Sequence, residues 1–408
     1  MASVADKDRT TSFNNLVSLL KSTPESIFDP FTITRTYYKS AGIQIAVDVL
    51  VPKTLPASAP QKQPRPVIVR IHGGFLVTGS SLFPGWFSKW ILLYAQHHGA
   101  VIVSPNYRLL PEVKGVDILD DMREFWRWFD AGGPQSVVSD LMLDLEGYLL
   151  VGESAGGYLA LQSILSNYTR PRALIALYPM LDLTSDFYTQ ASAKPIVGVS
   201  NFPNELIDTF LSSLETAPCK PPALTEADPP DRLDLALAMV QNGRLLDFLG
   251  DEPVLFPIER IVEGTWLPPM LVMHGREDSA VPVAGTGRFV ERVRSVDPGC
   301  RMRVVVRPGD HGFDALATLE DGWLREGLEF VSAEWLGSIG LNTALVLDLA
   351  EKGFGKSIAV IAEYLPKGTL HPPAISGTDA NIRRWDRLGH VHLPSQNCFR
   401  RWRRAVVS

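Results

Sequence analysis

The segment Leu149–Gly157, LLVGESAGG, constrains this chain more than any other. It runs a short apolar stretch straight into a serine that has glycine two places before it and two places after. A short apolar run that meets glycines reads as a buried strand, and the residues from there to Leu165 read as a helix. A serine at a strand-to-helix turn sits on a cramped backbone that only small neighbours permit, and the turn pushes its Oγ outward. A serine hydroxyl is a poor nucleophile. It needs exposure, an adjacent base, and donors for the oxyanion it creates. Gly152-Glu153-Ser154-Ala155-Gly156 meets the first need, so the base and the donors must come from elsewhere in the chain.

The surrounding pattern places that turn in a repeating fold. PVIVRIHGG, AVIVSPNYR, YLLVGESAGG and RALIALYP are strand-like runs, and FSKWILLYAQHHG and ILDDMREFWRWFDAGG are helix-like segments between them. Continuous apolar strands alternating with helices specify an α/β fold, with a mostly parallel sheet covered on both faces. Upstream, residues 12–22 suit a short amphipathic helix, and ITRTYYKSAGIQIAVDVLVP suits two strands around Ala41-Gly42. PASAPQKQPRP reads as a surface loop. Residues 184–266 break the rhythm with helical pieces between proline-rich joints, which reads as an insertion over the sheet. The sheet resumes with PPMLVMHG and MRVVVRP, and LREGLEFVSAEWLG closes it. The expected organisation is a core over 1–183, with 1–40 available to a cap, then a helical cap over 184–266. The core is completed over 267–337, and 338–408 is an extension without an assigned role.

In folds of this kind the nucleophile is followed by an acid and then a histidine. PPMLVMHG delivers GREDSAVP, which puts Asp278 just past the end of one strand, and MRVVVRP delivers GDHGF, which puts His311 past the next. The C-terminal ends of parallel strands share one rim, where open α/β sheets carry their sites. His311 is expected to take the Ser154 proton, and Asp278 to fix its tautomer and stabilise the imidazolium. The neighbouring acids Glu277 and Asp310 read as solvated loop charges. RIHGGFLVTGS supplies a glycine-rich loop, so Gly73, Gly74 and Ala155 are expected around the oxyanion, with His72 and Phe75 supporting the loop.

HGG at 72–74, NYRLLPE at 106–112, GESAGG at 152–157, YPMLDL at 178–183, Asp278 and HGF at 311–313 occur in that order. As a set they resemble the α/β-hydrolase superfamily and, within it, the hormone-sensitive-lipase-like esterases, over residues 65–335. The resemblance implies an eight-stranded, mostly parallel sheet with an inserted helical cap. It also implies hydrolysis of a carboxylic ester through an acyl-enzyme, without metal or cofactor. Type-B carboxylesterases share GESAGG but are longer chains with a wider acid-to-histidine spacing. Phe75 stands where the family has its third glycine, and a side chain there is expected to narrow the acyl pocket or displace a donor. The texture is similar to that of fungal members in specialised-metabolite pathways, which implies an ester on a polyketide-like or other aromatic scaffold. A small or medium hydrophobic ester is the expected substrate. The same triad would also serve acyl transfer or cleavage of a C–C bond, and the same fold a non-catalytic small-molecule binder. The complete triad argues against the binder.

Other features point to bland roles. The formal net charge of −6 gives no reason to expect nucleic acid or an anionic membrane surface as partner. The polar N-terminus lacks the apolar core of a secretory signal, and no apolar run reaches the about 18 residues of a membrane span. A cytoplasmic protein without a membrane span is expected, its oligomeric state open. Cys219, Cys300 and Cys398 are too scattered for a zinc site, and neither His97-His98 nor His390 and His392 has a supporting ligand cluster. GFGKS at 353–357 has Ala350 where a phosphate loop needs glycine. Arg400, Arg401, Arg403 and Arg404 read as a loosely docked tail, and Phe202, Phe210, Phe248 and Trp266 as cap core.

Overall fold

Eight strands hydrogen-bond into one sheet in the order β1-β2-β4-β3-β5-β6-β7-β8. The computed structural model describes residues 4–40, 43–54, 63–216 and 222–337. The strands are β1 (Phe31–Ser40), β2 (Ile43–Pro52), β3 (Val67–Ile71), β4 (Val101–Pro105), β5 (Leu149–Glu153), β6 (Ala173–Leu177), β7 (Met270–Gly275) and β8 (Met302–Arg307). β1 pairs antiparallel with β2, and β2 antiparallel with β4; every pairing from β4 through β3, β5, β6 and β7 to β8 is parallel. The fold is therefore the mostly parallel eight-stranded α/β sheet that the sequence resemblance implies.

Burial explains the unbroken apolar runs. Every residue of β3, β4, β5 and β6 is buried. A strand can be apolar on both faces only where helices cover both. Successive side chains alternate across the sheet, so Val67, Val69 and Ile71 join one apolar cluster and Ile68 the other. The first cluster takes in α3 (Gly115–Asp130), α5 (Ala155–Leu165) and α11 (Val283–Val296), and the second takes in α2 (Lys89–His98) and α12 (Gly322–Trp335). α4 (Gly133–Val137) is a single turn after α3.

Between β6 and β7 the chain leaves the sheet to build α6 (Asp186–Thr189), α7 (Glu205–Thr216), α8 (Leu233–Gln241), α9 (Leu245–Leu249) and α10 (Pro257–Arg260). Every residue of α8 except Asp234 is buried, so this layer has its own packed interior. Phe248 is buried within it, whereas Trp266 is 38% exposed. α1 (Val4–Lys21) is longer than the helix expected over 12–22, and Phe13 on it packs edge-on against Phe202 at 5.4 Å. Among the described residues no helix is long and apolar enough to cross a membrane. The Ala41-Gly42 turn, most of the PASAPQKQPRP loop, Cys219, Cys398, GFGKS, His390, His392, the arginine cluster and the extension 338–408 lie outside the described residues.

Candidate active site

Ser154 is the first residue beyond β5 and caps α5, with φ +55 and ψ −117. A non-glycine residue in this left-handed region is strained and persists only where its surroundings hold it. Here the Ser154 N–H donates to the Leu177 carbonyl at 2.9 Å, and its carbonyl accepts from Gly157, Tyr158 and Met180 at 3.0–3.2 Å. The flanking glycine is a matter of space, because a Cβ on Gly156 would stand 2.0 Å from the Ile71 carbonyl oxygen. The first turn of α5 therefore lies directly against the end of β3.

Asp278 follows β7 and His311 follows β8, and the structure brings them together: His311 Nδ1 donates to Asp278 Oδ2 at 2.8 Å. The other carboxylate oxygen accepts the Ala280 and Val281 amides at 2.9 and 2.7 Å. Buried His274 on β7 adds an Nε2–H that is shared between the Val281 carbonyl at 2.8 Å and Asp278 Oδ2 at 3.3 Å. Burial alone pushes the Asp278 carboxyl up, but the His311 charge and the hydrogen bonds from His274, His311 and Val281 outweigh it and hold the group well below the usual carboxylate range. Asp278 is thus an anionic anchor that leaves His311 Nε2 free. Among the described residues Ser154 Oγ makes no hydrogen bond to His311; Tyr178, directly after β6, joins their surroundings. Its neighbour Leu177 holds the Ser154 amide, and its ring lies 4.4 Å from that of His311.

Gly73, Gly74 and Phe75 form the loop after β3. Gly74 has φ +112, and a Cβ there would stand 1.9 Å from the Thr78 carbonyl oxygen, so the position admits only glycine. Phe75 and Leu76 follow at φ +55 and +66, with the Val77 and Thr78 amides closing onto Gly74 O at 2.9 and 3.0 Å. Phe75 is 6% exposed and belongs to the main apolar cluster, so its ring is part of the core packing. His72 is fully buried and stacks on Tyr107 at 4.4 Å; Tyr107 Oη donates to the His72 carbonyl at 2.9 Å. Burial pulls the His72 pKa down to about 3, and the neutral ring donates from Nδ1 to Gly73 O at 2.8 Å. Among the described residues, the amides of Gly73, Gly74 and Ala155 donate to no protein acceptor. Ala155 opens α5, whose first-turn amides have no partner within the helix.

Sequence reading missed several groups around this centre. Arg70, fully buried in β3, pairs with Glu153 and also donates to the Ser81 and Trp86 carbonyls at 2.9 Å each. Its guanidinium lies 3.8 Å over Phe87. Asp314, three residues beyond His311 and buried, accepts from Ser88 Oγ and Trp90 Nε1 at 2.8 Å each, tying the histidine loop to the start of α2. Glu277 and Asp310 are not merely solvated charges: Glu277 Oε2 accepts the Gly309 amide at 2.6 Å, and Asp310 Oδ1 the Ser279 and His311 amides at 2.7 Å each. An arginine inside the apolar run VIVRI was the one visible signal for such a network. Among the described residues no group of His, Cys, Asp or Glu could hold a metal ion.

The model of the alpha/beta hydrolase fold family matches residues 68–225. The chain is similar to a probable carboxylesterase, M8, of Phoma sp., 32% identical over 297 residues that cover 71% of this chain and 92% of that relative. The chain belongs to the alpha/beta hydrolase fold family. This hydrolase is also similar to a probable carboxylesterase, clz11, of Cochliobolus lunatus, 31% identical over 47% of this chain and 92% of that one. It further matches a segment of the non-reducing polyketide synthase ausA of Aspergillus calidoustus at 27% identity, covering 76% of this chain and 14% of the synthase. Among solved structures, a Pyrobaculum calidifontis esterase shares the fold with a TM-score of 0.52 and 20% identity, over 82% of this chain and 95% of that one. The hydrolase is a carboxylesterase-like member of its family.

Proposed function

We propose that this hydrolase cleaves a small or medium hydrophobic carboxylic ester through an acyl-enzyme on Ser154. One observation carries the reading: a serine held at φ +55 at the head of α5, beside the unpartnered amides of Gly73, Gly74 and Ala155. The Asp278–His311 pair on the neighbouring strand ends supports it. His311 Nε2 takes the Oγ proton as Oγ bonds to the ester carbonyl carbon, and the amides receive the oxyanion. In ligand-free enzymes such proton-transfer contacts are often long and tighten with substrate. Collapse of the intermediate breaks the ester C–O bond, and His311 returns the proton to the departing alcohol. Water then repeats the sequence on the acyl-enzyme, releasing the acid and restoring Ser154. Asp278 remains ionised throughout and steadies the imidazolium.

For the substrate we infer an ester borne on a polyketide-like or other aromatic scaffold. Similarity to two fungal carboxylesterases and to a segment of a polyketide synthase supports that class. The test is turnover of p-nitrophenyl esters from acetate to decanoate by wild type and Ser154→Ala. Wild type is expected to show a limited chain-length window, and the variant to lose roughly 10³-fold or more in kcat. Equal rates in the two proteins would overturn the assignment.

A further inference from the structure

The loops that carry Asp278 and His311 are joined by a second, separate set of hydrogen bonds. Asp310 Oδ1 accepts the Ser279 amide at 2.7 Å, the Ser279 hydroxyl at 2.8 Å and the His311 amide at 2.7 Å, while Oδ2 accepts the same hydroxyl at 2.9 Å. Ser279 directly follows the acid, and Asp310 directly precedes the histidine. One carboxylate therefore fixes the backbone on both sides of the Asp278–His311 hydrogen bond.

The Ser279 hydroxyl does more than donate. Its oxygen accepts the Val197 amide at 2.8 Å. Val197 sits in the layer over the sheet, in a tight turn where Ile196 and Val199 exchange backbone hydrogen bonds at 3.0 and 2.9 Å. It has φ +46, a costly conformation for a β-branched residue. A strained turn of the cap thus ends on the residue next to the triad acid.

We propose that Asp310 and Ser279 are positioning residues: Asp310 sets the geometry of the Asp278–His311 pair, and the Ser279 hydroxyl couples the cap turn at 196–199 to it. The inference rests on the triad reading above. It divides the two roles between two kinetic constants. Loss of the Asp310 carboxylate releases three donors beside the histidine and acts on the chemical step. Loss of the Ser279 hydroxyl removes one donor from Asp310 but leaves the Ser279 and His311 amides on it, and it frees the cap turn, so it acts chiefly on substrate binding.

The experiment measures kcat and KM on p-nitrophenyl butyrate for Asp310→Ala, Asp310→Asn, Ser279→Ala and Ser154→Ala in the full chain. Asp310→Ala is expected to lower kcat about 50-fold with KM within twofold, and Asp310→Asn, which keeps an oxygen for the two amides, to recover to within about fivefold of wild type. Ser279→Ala is expected to raise KM about tenfold with kcat within twofold. Wild-type constants in both Asp310→Ala and Ser279→Ala, or kcat and KM changing in the same proportion in both, would overturn the proposal. Should Asp310→Ala fail to fold, Asp310→Asn against Ser279→Ala decides. A KM rise confined to Ser279→Ala supports the coupling, and equal KM values in the two overturn it. Turnover that survives Ser154→Ala would instead remove the triad reading on which the inference rests.

Discussion

Phe75 and Ser154 both hold a left-handed backbone at φ +55 without being glycine, the one directly after Gly74 and the other directly before Ala155. Ser154 is kept there by four backbone hydrogen bonds, and Phe75 by burial of its ring. The two supports respond differently to substitution. Removing a buried phenylalanine side chain costs about 3–5 kcal/mol, while relieving one left-handed non-glycine residue returns about 1–2 kcal/mol. Phe75→Gly is therefore expected to lose about 1–4 kcal/mol net. Urea unfolding should show this as a lower midpoint at unchanged slope; a stability gain would contradict it. The strand-end positions of Ser154, Asp278 and His311 were legible because each follows a strand that can be read from apolar residues alone. Tyr178, Ser279 and Asp310 were not. Their partners are a ring and backbone amides that become neighbours only when β6, β7 and β8 lie side by side, and no local spacing encodes that.

β3 and β5 meet through an ion pair as well as a ladder. Arg70 and Glu153 are both buried, directly beneath the turn that carries Ser154. Burial first, and then the charge of Asp314, push the Glu153 carboxyl from 4.5 up to about 7 against the pull of Arg70. An acid whose folded-state pKa is raised binds its proton more tightly when folded. Its contribution to stability is present below pH 4.5 and is lost as the pH rises to about 7. Glu153→Gln should remove that dependence, seen as a flatter stability profile between those values than in wild type. Arg70→Met leaves Glu153 buried without its counter-charge and is expected to cost about 3–5 kcal/mol; a neutral effect in urea unfolding would show that the pair carries no such weight. Helix α11 illustrates what the apolar pattern conceals. It connects the strands bearing Asp278 and His311, but Gly285 and Gly287 near its start weaken its helical signature. Gly285 is packed close to Asp182, with space for a Cβ only at 3.0 Å from that side chain.

The N-terminal helix touches both the segment between β3 and β4 and the segment between β6 and β7. Leu20 O abuts Gly85, where a Cβ would approach it to 2.4 Å, and Arg9 donates to the Asn201 carbonyl at 3.1 Å beside the Phe13–Phe202 contact. Deleting residues 1–21 is expected to raise KM several-fold and lower Tm while Ser154-dependent turnover persists; unchanged KM and Tm would show that α1 is only appended. The eight-stranded sheet was legible from alternating runs and a helix over 12–22 from its apolar spacing, whereas the contacts of α1 were not, because its partners lie far along the chain. A different consequence follows from the register of β6 and β7. Leu177 pairs with Met273, so the chain leaves the sheet and rejoins it on adjacent strands, about 4.8 Å apart. The two strands are parallel, so the detour leaves the sheet beside Met273 and re-enters at Met270, which pairs with Leu174 at the other end of the β6–β7 pairing. The segment between β6 and β7 carries none of Ser154, Asp278 and His311, so exchanging it for another segment with matching ends is expected to leave those residues on their strand ends. On the proposed reading, one hydrolytic frame would be readdressed to new molecules by replacing its roof, and the replacement would have to reproduce the hydrogen bond that Val197 makes to Ser279.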